Sequence, residues 1–248
     1  MSADHKMTRG MLLWTFLLAL AGALAATAGL TWYAHYGSVL LVQGDNGVSR
    51  LFVGEAERMG EAGFPEQALV LYDKAFHAGF GYPPDKSRAL TLKGLLLWHE
   101  GRVRDAAEAL SAAVSGSAPN FDGAQPLVEA LLHLKRADEA QSVVGRWREA
   151  LKDSAAPQAR AEMLYSSGRV AQERGDLTGA RAAYEESAAL VQGGLADYRI
   201  GALCADAGEF AEAGRHLQRF LLGGASGAEA AKARELHRSI ATAPADAK

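Results

Sequence analysis

The chain has 248 residues, with 26 Lys and Arg against 29 Asp and Glu, a formal net charge of −3. That near balance, with charges alternating in sign and no basic patch, argues against a nucleic-acid partner. The single cysteine, Cys204, excludes an internal disulfide and any paired-cysteine metal spacing.

In chain order, Lys6 and Arg9 precede an uncharged, mostly apolar run from Met11 to Ala34. As a helix it would span about 36 Å, enough for a bilayer core of about 30 Å. Trp14 lies near one end and Trp32, Tyr33 and Tyr36 near the other, where interfacial aromatics belong. No Lys or Arg follows until Arg50. The positive-inside rule then assigns residues 1–10 to the cytoplasm, 11–35 to a single-pass signal anchor and the rest to the far side. Export without disulfides, in an Ala-, Arg- and Gly-rich chain, fits the periplasmic face of a bacterial inner membrane. The rival is a cleaved signal peptide, with small-x-small sites at Ala23-Leu24-Ala25 and Ala26-Thr27-Ala28. Cleavage would release the protein but leave the apolar stretch Leu30–Val42 in need of burial, which favours retention. Within the anchor, Gly22/Ala26 and Ala25/Gly29 are small pairs four residues apart, a face on which transmembrane helices pair, with themselves or with a membrane partner.

Residues 36–49 read as a linker, with Ser49 capping the first helix beyond it. The other reading is a hairpin turning at Gly44-Asp45-Asn46-Gly47 between Ser38–Val42 and Val48–Val53.

From residue 50 to 222 a motif recurs. Gly94, Gly101, Ala106, Leu110 and Ala113 stand at relative positions 0, +7, +12, +16 and +19. The same offsets hold Gly168, Gly175, Ala180, Tyr184 and Ser187, and again Gly201, Gly208, Ala213, Leu217 and Phe220. Weaker copies are Ala56, Gly63, Ala68, Tyr72, Ala75 and Val128, Lys135, Ala140, Val144, Trp147. Small residues at 0 and +12 recur where two helices must touch. Glycine at +7 recurs past a helix end, where a positive φ is cheap without a Cβ. The larger residue at +16 is expected to fill the gap between hairpins. Successive copies start 38, 34, 40 and 33 residues apart. Pro65 fits the first position of a second helix, and Pro83-Pro84, Pro119-Asn120 and Pro157 fall between hairpins, where helices stop. Ser226-Gly227-Ala228-Glu229 reads as a capping box for one more helix, within 223–240, offering Leu236 and Ile240 to the array. Residues 241–248 read as a disordered tail.

These offsets resemble the tetratricopeptide repeat, whose period is about 34 residues. The resemblance implies an all-α protein: the anchor, a right-handed α-solenoid of about five helical hairpins, and a C-terminal capping helix. It also implies that first helices line a concave groove, at offsets −6, −3, +1, +4 and +5. Those offsets select Arg88, Trp98, His99, Tyr165, Arg169 and Tyr198 as candidate peptide-binding residues. Tyr165, Arg169 and Tyr198 would make an aromatic-basic patch for an extended peptide or a C-terminal carboxylate. The lysine/asparagine carboxylate clamp of chaperone-binding family members is not present. His99 and His133 share offset +5; ordinary surface histidines are expected, a two-histidine metal or pH site being the alternative. Cys204, three residues after Gly201, reads as a buried structural thiol.

No zinc-protease, nucleophile-elbow or Walker signature occurs. The expected role is a non-enzymatic scaffold without cofactor or metal. It would bind a protein or peptide of the envelope or membrane, touch lipid through its N-terminal helix, and leave room for a homodimer. Supporting assembly or stability of an envelope complex is the expected task, release as a secreted binding protein the alternative.

Overall fold

A computed structural model describes residues 46–117, 119–153 and 156–242. Among them there are eleven α-helices and no strand. The predicted anchor, with Gly22, Ala25, Ala26 and Gly29, lies outside the described residues. Among the described residues no helix is long and apolar enough to cross a membrane.

The chain divides into two compact units, Met1–Asp85 and Lys86–Lys248. The first holds the hairpin α1 (Asn46–Glu61) and α2 (Pro65–Ala78). Helix α3 (Pro83–His99) begins at its end. The second unit pairs α3 with α4 (Val103–Ser115), α5 (Ala124–His133) with α6 (Ala137–Ala150), α7 (Pro157–Glu173) with α8 (Leu177–Leu190), and α9 (Leu195–Asp206) with α10 (Phe210–Leu222). Helix α11 (Gly227–Thr242) ends it, burying Ala230, Ala233 and Ile240. Pro65, Pro83 and Pro157 are each the first residue of a helix, where the missing N–H costs nothing. A 3₁₀ turn, Phe121–Gly123, precedes α5.

Ser49 does not cap α1. The helix starts at Asn46, so Val48–Val53 is helical and the linker ends sooner than expected. Ser49, Val53 and Ala56 recur at helical spacing on the buried face. The Ser49 hydroxyl instead donates across the hairpin to the Gly79 carbonyl.

All five hairpins turn alike. The N–H at +8 donates to the carbonyl at +3: Phe64 to Met59, Arg102 to Leu97, Arg136 to Leu131, Asp176 to Ala171, Glu209 to Cys204, at 2.8 to 3.0 Å. The N–H at +7 donates to the carbonyl at +4. Together these make the paired helix C-cap that needs a left-handed residue between them. Gly63, Gly101, Gly175 and Gly208 supply it with φ from 72° to 82°. In the copy without glycine, Lys135 takes φ 60°, the one non-glycine at positive φ among the described residues. The alanine at +12 then donates its N–H to the carbonyl at +8, opening the second helix.

Helix contact rests on size complementarity between positions 0 and +16. A Cβ on Gly94 would lie 2.6 Å from Leu110 Cγ, one on Gly168 2.5 Å from the Tyr184 ring, and one on Gly201 2.8 Å from Leu217 Cγ. The residue at +16, expected to fill the gap between hairpins, thus lies against the small residue of its own hairpin. Where glycine is absent the volume is shared: Ala56 with Tyr72, and Val128 with Val144, all buried. The second unit has two apolar clusters. One gathers Leu127, Leu131, Val144, Trp147 and Val170; the other gathers Tyr184, Ile200, Cys204, Leu217, Phe220 and Ile240. Cys204 is buried as expected.

Candidate functional site

The site is built on the first helices of the second unit, α3, α5, α7 and α9. Five of the six selected residues keep side-chain surface, Arg169 among them as a half-buried side chain. Arg88 and His99 are exposed, while Trp98 and Tyr198 are half-buried. Trp98 meets His133 edge-on, with ring centroids 6.3 Å apart. This joins offset +4 of one copy to +5 of the next. Tyr198 lies on Phe220 at 5.5 Å, so its ring is braced by the second helix of its own hairpin.

The aromatic-basic patch is organised differently from a set of free groove residues. Tyr165 is only 6% exposed and packs on Tyr184 at 5.8 Å, so it contributes an edge to the surface rather than a ring. Burial pushes both phenols above their ordinary pKa. Tyr184 donates its hydroxyl to Gln172 at 2.9 Å. Arg169 is closed on Glu129 by two parallel bonds, Nε to Oε1 at 2.8 Å and Nη2 to Oε2 at 2.7 Å. Those bonds raise the guanidinium pKa further, despite partial burial. Arg169 therefore carries no free charge toward a ligand.

Offset reasoning on three copies did not name Glu129. It occupies +1 in the copy starting at Val128, as Arg169 occupies +1 in the next, and opposite charges at one offset of adjacent copies were the available signal. Two more pairs join these copies at unequal offsets, Lys135 with Glu173 at 2.7 Å and Arg174 with Asp138. The Lys135 ammonium holds the Glu173 carboxyl below its usual range.

A cavity of about 190 Å³ opens beside Tyr165, lined by Gln125, Gln158, Glu162, Tyr165, Leu195 and Ala196 among others. Its floor includes Ser187, whose hydroxyl donates to the Ala161 carbonyl at 2.7 Å. One wall is apolar and the rim carries amides and a carboxylate, the mix that seats one side chain of an extended chain.

Two further polar clusters brace the last hairpin. Asp197, wholly buried, accepts from the Gly193 N–H at 2.7 Å, His216 Nδ1 at 2.8 Å and Arg219 Nη1 at 3.2 Å. Cys204, Glu209 and Glu212 offer ligand atoms within 4.8 Å of one another, but Arg181 already holds Glu209 at 2.7 Å and Glu212 at 3.2 Å. Burial pushes the Cys204 thiol up to about 11. Its hydrogen-bonded guanidinium and thiol neighbours hold Glu209 low. The sequence flags none of these clusters, because their longer contacts join residues 19 to 31 positions apart across helix surfaces.

Solved structures match this arrangement. PilW, described as a widely conserved type IV pilus biogenesis factor, aligns over 82% of this chain and 89% of its own at 18% identity and a TM-score of 0.64. PilF of Pseudomonas aeruginosa aligns over 79% and 89%, at 19% identity and a TM-score of 0.58. TTC0263 of Thermus thermophilus, a thermophilic tetratricopeptide protein, aligns over 78% and 97%, at 18% identity and a TM-score of 0.55. The hairpins have the tetratricopeptide fold. No protein-family model matches the sequence, and no curated protein matches it.

Proposed function

We propose that this chain is a membrane-anchored tetratricopeptide scaffold that receives an extended segment of a partner protein on the face formed by α3, α5, α7 and α9. One observation carries the reading: that face combines braced aromatics, Trp98 and Tyr198, with a side-chain-sized cavity beside Tyr165. A surface kept rigid by its own hairpins loses little entropy on binding.

The apolar run Met11–Ala34 is the basis for placing the array on the periplasmic side of a bacterial inner membrane, with residues 1–10 inside. The partner is then an envelope or membrane protein, and the task is support of an envelope assembly. PilW is described as a pilus biogenesis factor, and the shared fold supports a role of this kind. Pairing through Gly22, Ala25, Ala26 and Gly29 would allow a homodimer in the membrane.

The test is mild-detergent purification of the tagged full-length protein from its own membranes, with mass spectrometry of the co-eluting proteins and of the mature N-terminus. A stoichiometric envelope partner, retained by wild type and lost with Trp98→Ala and Tyr198→Ala together, supports the reading. Elution alone contradicts stable complex membership. A mature N-terminus near Ala26 or Gly29 favours the secreted form instead.

A further inference from the structure

The first unit is rich in uncovered apolar surface. Among the described residues, four of the eight large hydrophobic side chains that stay exposed fall within residues 46–85: Leu51, Phe64, Val70 and Tyr82. A groove of about 530 Å³ lies between α1 and α2, lined by Glu55 and Met59 from the first and by Glu66, Gln67, Val70, Leu71 and Lys74 from the second. Its surface is almost wholly apolar, and Glu55 is paired with Arg58. Leu51, Glu55 and Met59 are spaced by four on α1, as Glu66, Val70 and Lys74 are on α2, so each wall is one face of a helix. A second row on α1, Ser49, Val53 and Ala56, is already buried.

The chain itself supplies a segment of matching chemistry and length. Helix α1 starts at Asn46. The residues just before it, Gly37 to Gly44, carry no charge and include the aliphatic run Val39-Leu40-Leu41-Val42. At 1.5 Å per residue along the helix axis, Leu51 lies about 9 Å and Met59 about 21 Å beyond Asp45. A chain turned back at Gly44-Asp45 and extended at about 3.3 Å per residue carries Val42 about 10 Å and Val39 about 20 Å along the same line. The aliphatic run therefore reaches from Leu51 to Met59. Successive residues of an extended chain face opposite ways, so alternate members of the run would enter the groove. Seven residues line it, against roughly 20–30 a side at a stable protein–protein interface. So small a surface suits a tethered segment, whose effective concentration is of millimolar order, better than a second copy.

We propose that Val39–Val42 docks in the α1/α2 groove as an extended strap, covering the first hairpin as α11 covers the last one. The strap is independent of the partner reading above, since none of its contacts lies on α3, α5, α7 or α9. Its consequence is positional. The apolar run that ends at Ala34 would meet the array beside the α1–α2 turn, where Phe64 is exposed.

The experiment uses the full-length protein in mild detergent, in which the native Cys204 is buried. Leu40→Cys and Leu41→Cys are each combined with Val70→Cys and, as control, with Glu61→Cys. Glu61 is exposed and stands two residues past Met59, on the other side of α1. After oxidation, disulfides are mapped by mass spectrometry of unreduced peptides. A link within one chain to position 70, strongly preferred from one of positions 40 and 41 and absent to position 61, supports the strap. Links to positions 70 and 61 at similar rates reflect random collision and overturn it, as does the absence of any link within one chain. A predominant link between position 70 of two chains makes a second copy the occupant and also overturns it.

A second readout needs no crosslink. Val70→Cys is labelled with a maleimide, alone and with Leu40→Asp/Leu41→Asp added. Val70 is a surface residue and the aspartates precede α1, so both proteins should keep the circular dichroism of wild type. Charging the strap should speed labelling roughly tenfold, the protection that burial of one or two aliphatic side chains supplies. Equal labelling rates with and without the aspartates overturn the proposal.

Discussion

Replacing Gly168 by alanine should destabilise the array, although alanine is the better helix former. Gly168 lies inside α7, where propensity alone favours alanine by about 1 kcal/mol. The new Cβ would stand 2.5, 2.6 and 3.0 Å from three Tyr184 ring atoms, closer than packed atoms tolerate. Tyr184 cannot easily retreat: it is wholly buried, hydrogen-bonded to Gln172, and packed on Tyr165. Overpacking of this kind costs about 2–3 kcal/mol, so the net loss is about 1–2 kcal/mol. Gly145, in the exposed interior of α6, is the matched control, because a Cβ there meets nothing within 4 Å. Gly145→Ala should therefore stabilise by about 0.5–1 kcal/mol. The assay is urea unfolding of the full-length protein in mild detergent, followed by circular dichroism. Midpoints are to be compared at equal slope, since repeat arrays unfold less cooperatively than single cores. The double variant Gly168→Ala/Tyr184→Leu gives the coupling, which should be favourable by about 1 kcal/mol. If Gly168→Ala raises the midpoint as Gly145→Ala does, the size-complementarity account of position 0 against +16 is wrong.

Lys135→Gly should stabilise by about 0.5–1 kcal/mol, because relief of the left-handed strain exceeds the loss of the exposed pair with Glu173; the same urea midpoints check it. Asp197→Ala should cost about 3 kcal/mol, since it strips the acceptor from the Gly193 N–H, His216 and Arg219, and hydrogen exchange should show α9 and α10 opening first. Asp197→Asn should cost less, and equal costs would count against a charge-dependent network. Cys204 should alkylate far more slowly with iodoacetamide at pH 8 than a free cysteine, because its thiol is pushed up to about 11. Its folded-state pKa lies above the unfolded one, so this contribution is full below the unfolded value of about 8.5 and fades as pH rises toward about 11. Rapid labelling at pH 8 without unfolding would show the thiol is not sheltered.

The hairpins are legible in the sequence because their requirements are local and repeat. A glycine past a helix end and small residues at fixed offsets leave the same trace in each copy, and even Lys135 occupies its left-handed position in register. The residue at +16 is legible as large and buried, but its closest fit is to the small residue of its own hairpin, while Leu110 also lies against Gly123 ahead of the next one. Spacing alone does not tell the two sides of a second helix apart. Serine before an apolar run fits a cap, as at Ser49, while the burial of that side chain depends on Gly79, thirty residues away. The groove is legible only in outline. Offsets place Trp98, His99 and Tyr198 on first helices, as the structure has them. They do not show that Arg169 is neutralised by Glu129, since that fact arises between copies.

The central claim is that the first-helix face receives a polypeptide. It is tested most directly by site-specific photo-crosslinking in native membranes, with a benzoylphenylalanine in place of Trp98 or Tyr198 on that face, and of Arg148 or Glu186 on second helices. The account predicts a discrete crosslinked polypeptide from the Trp98 and Tyr198 positions and none from the other two. Crosslinks of equal strength from all four positions, or from the second helices alone, would contradict it.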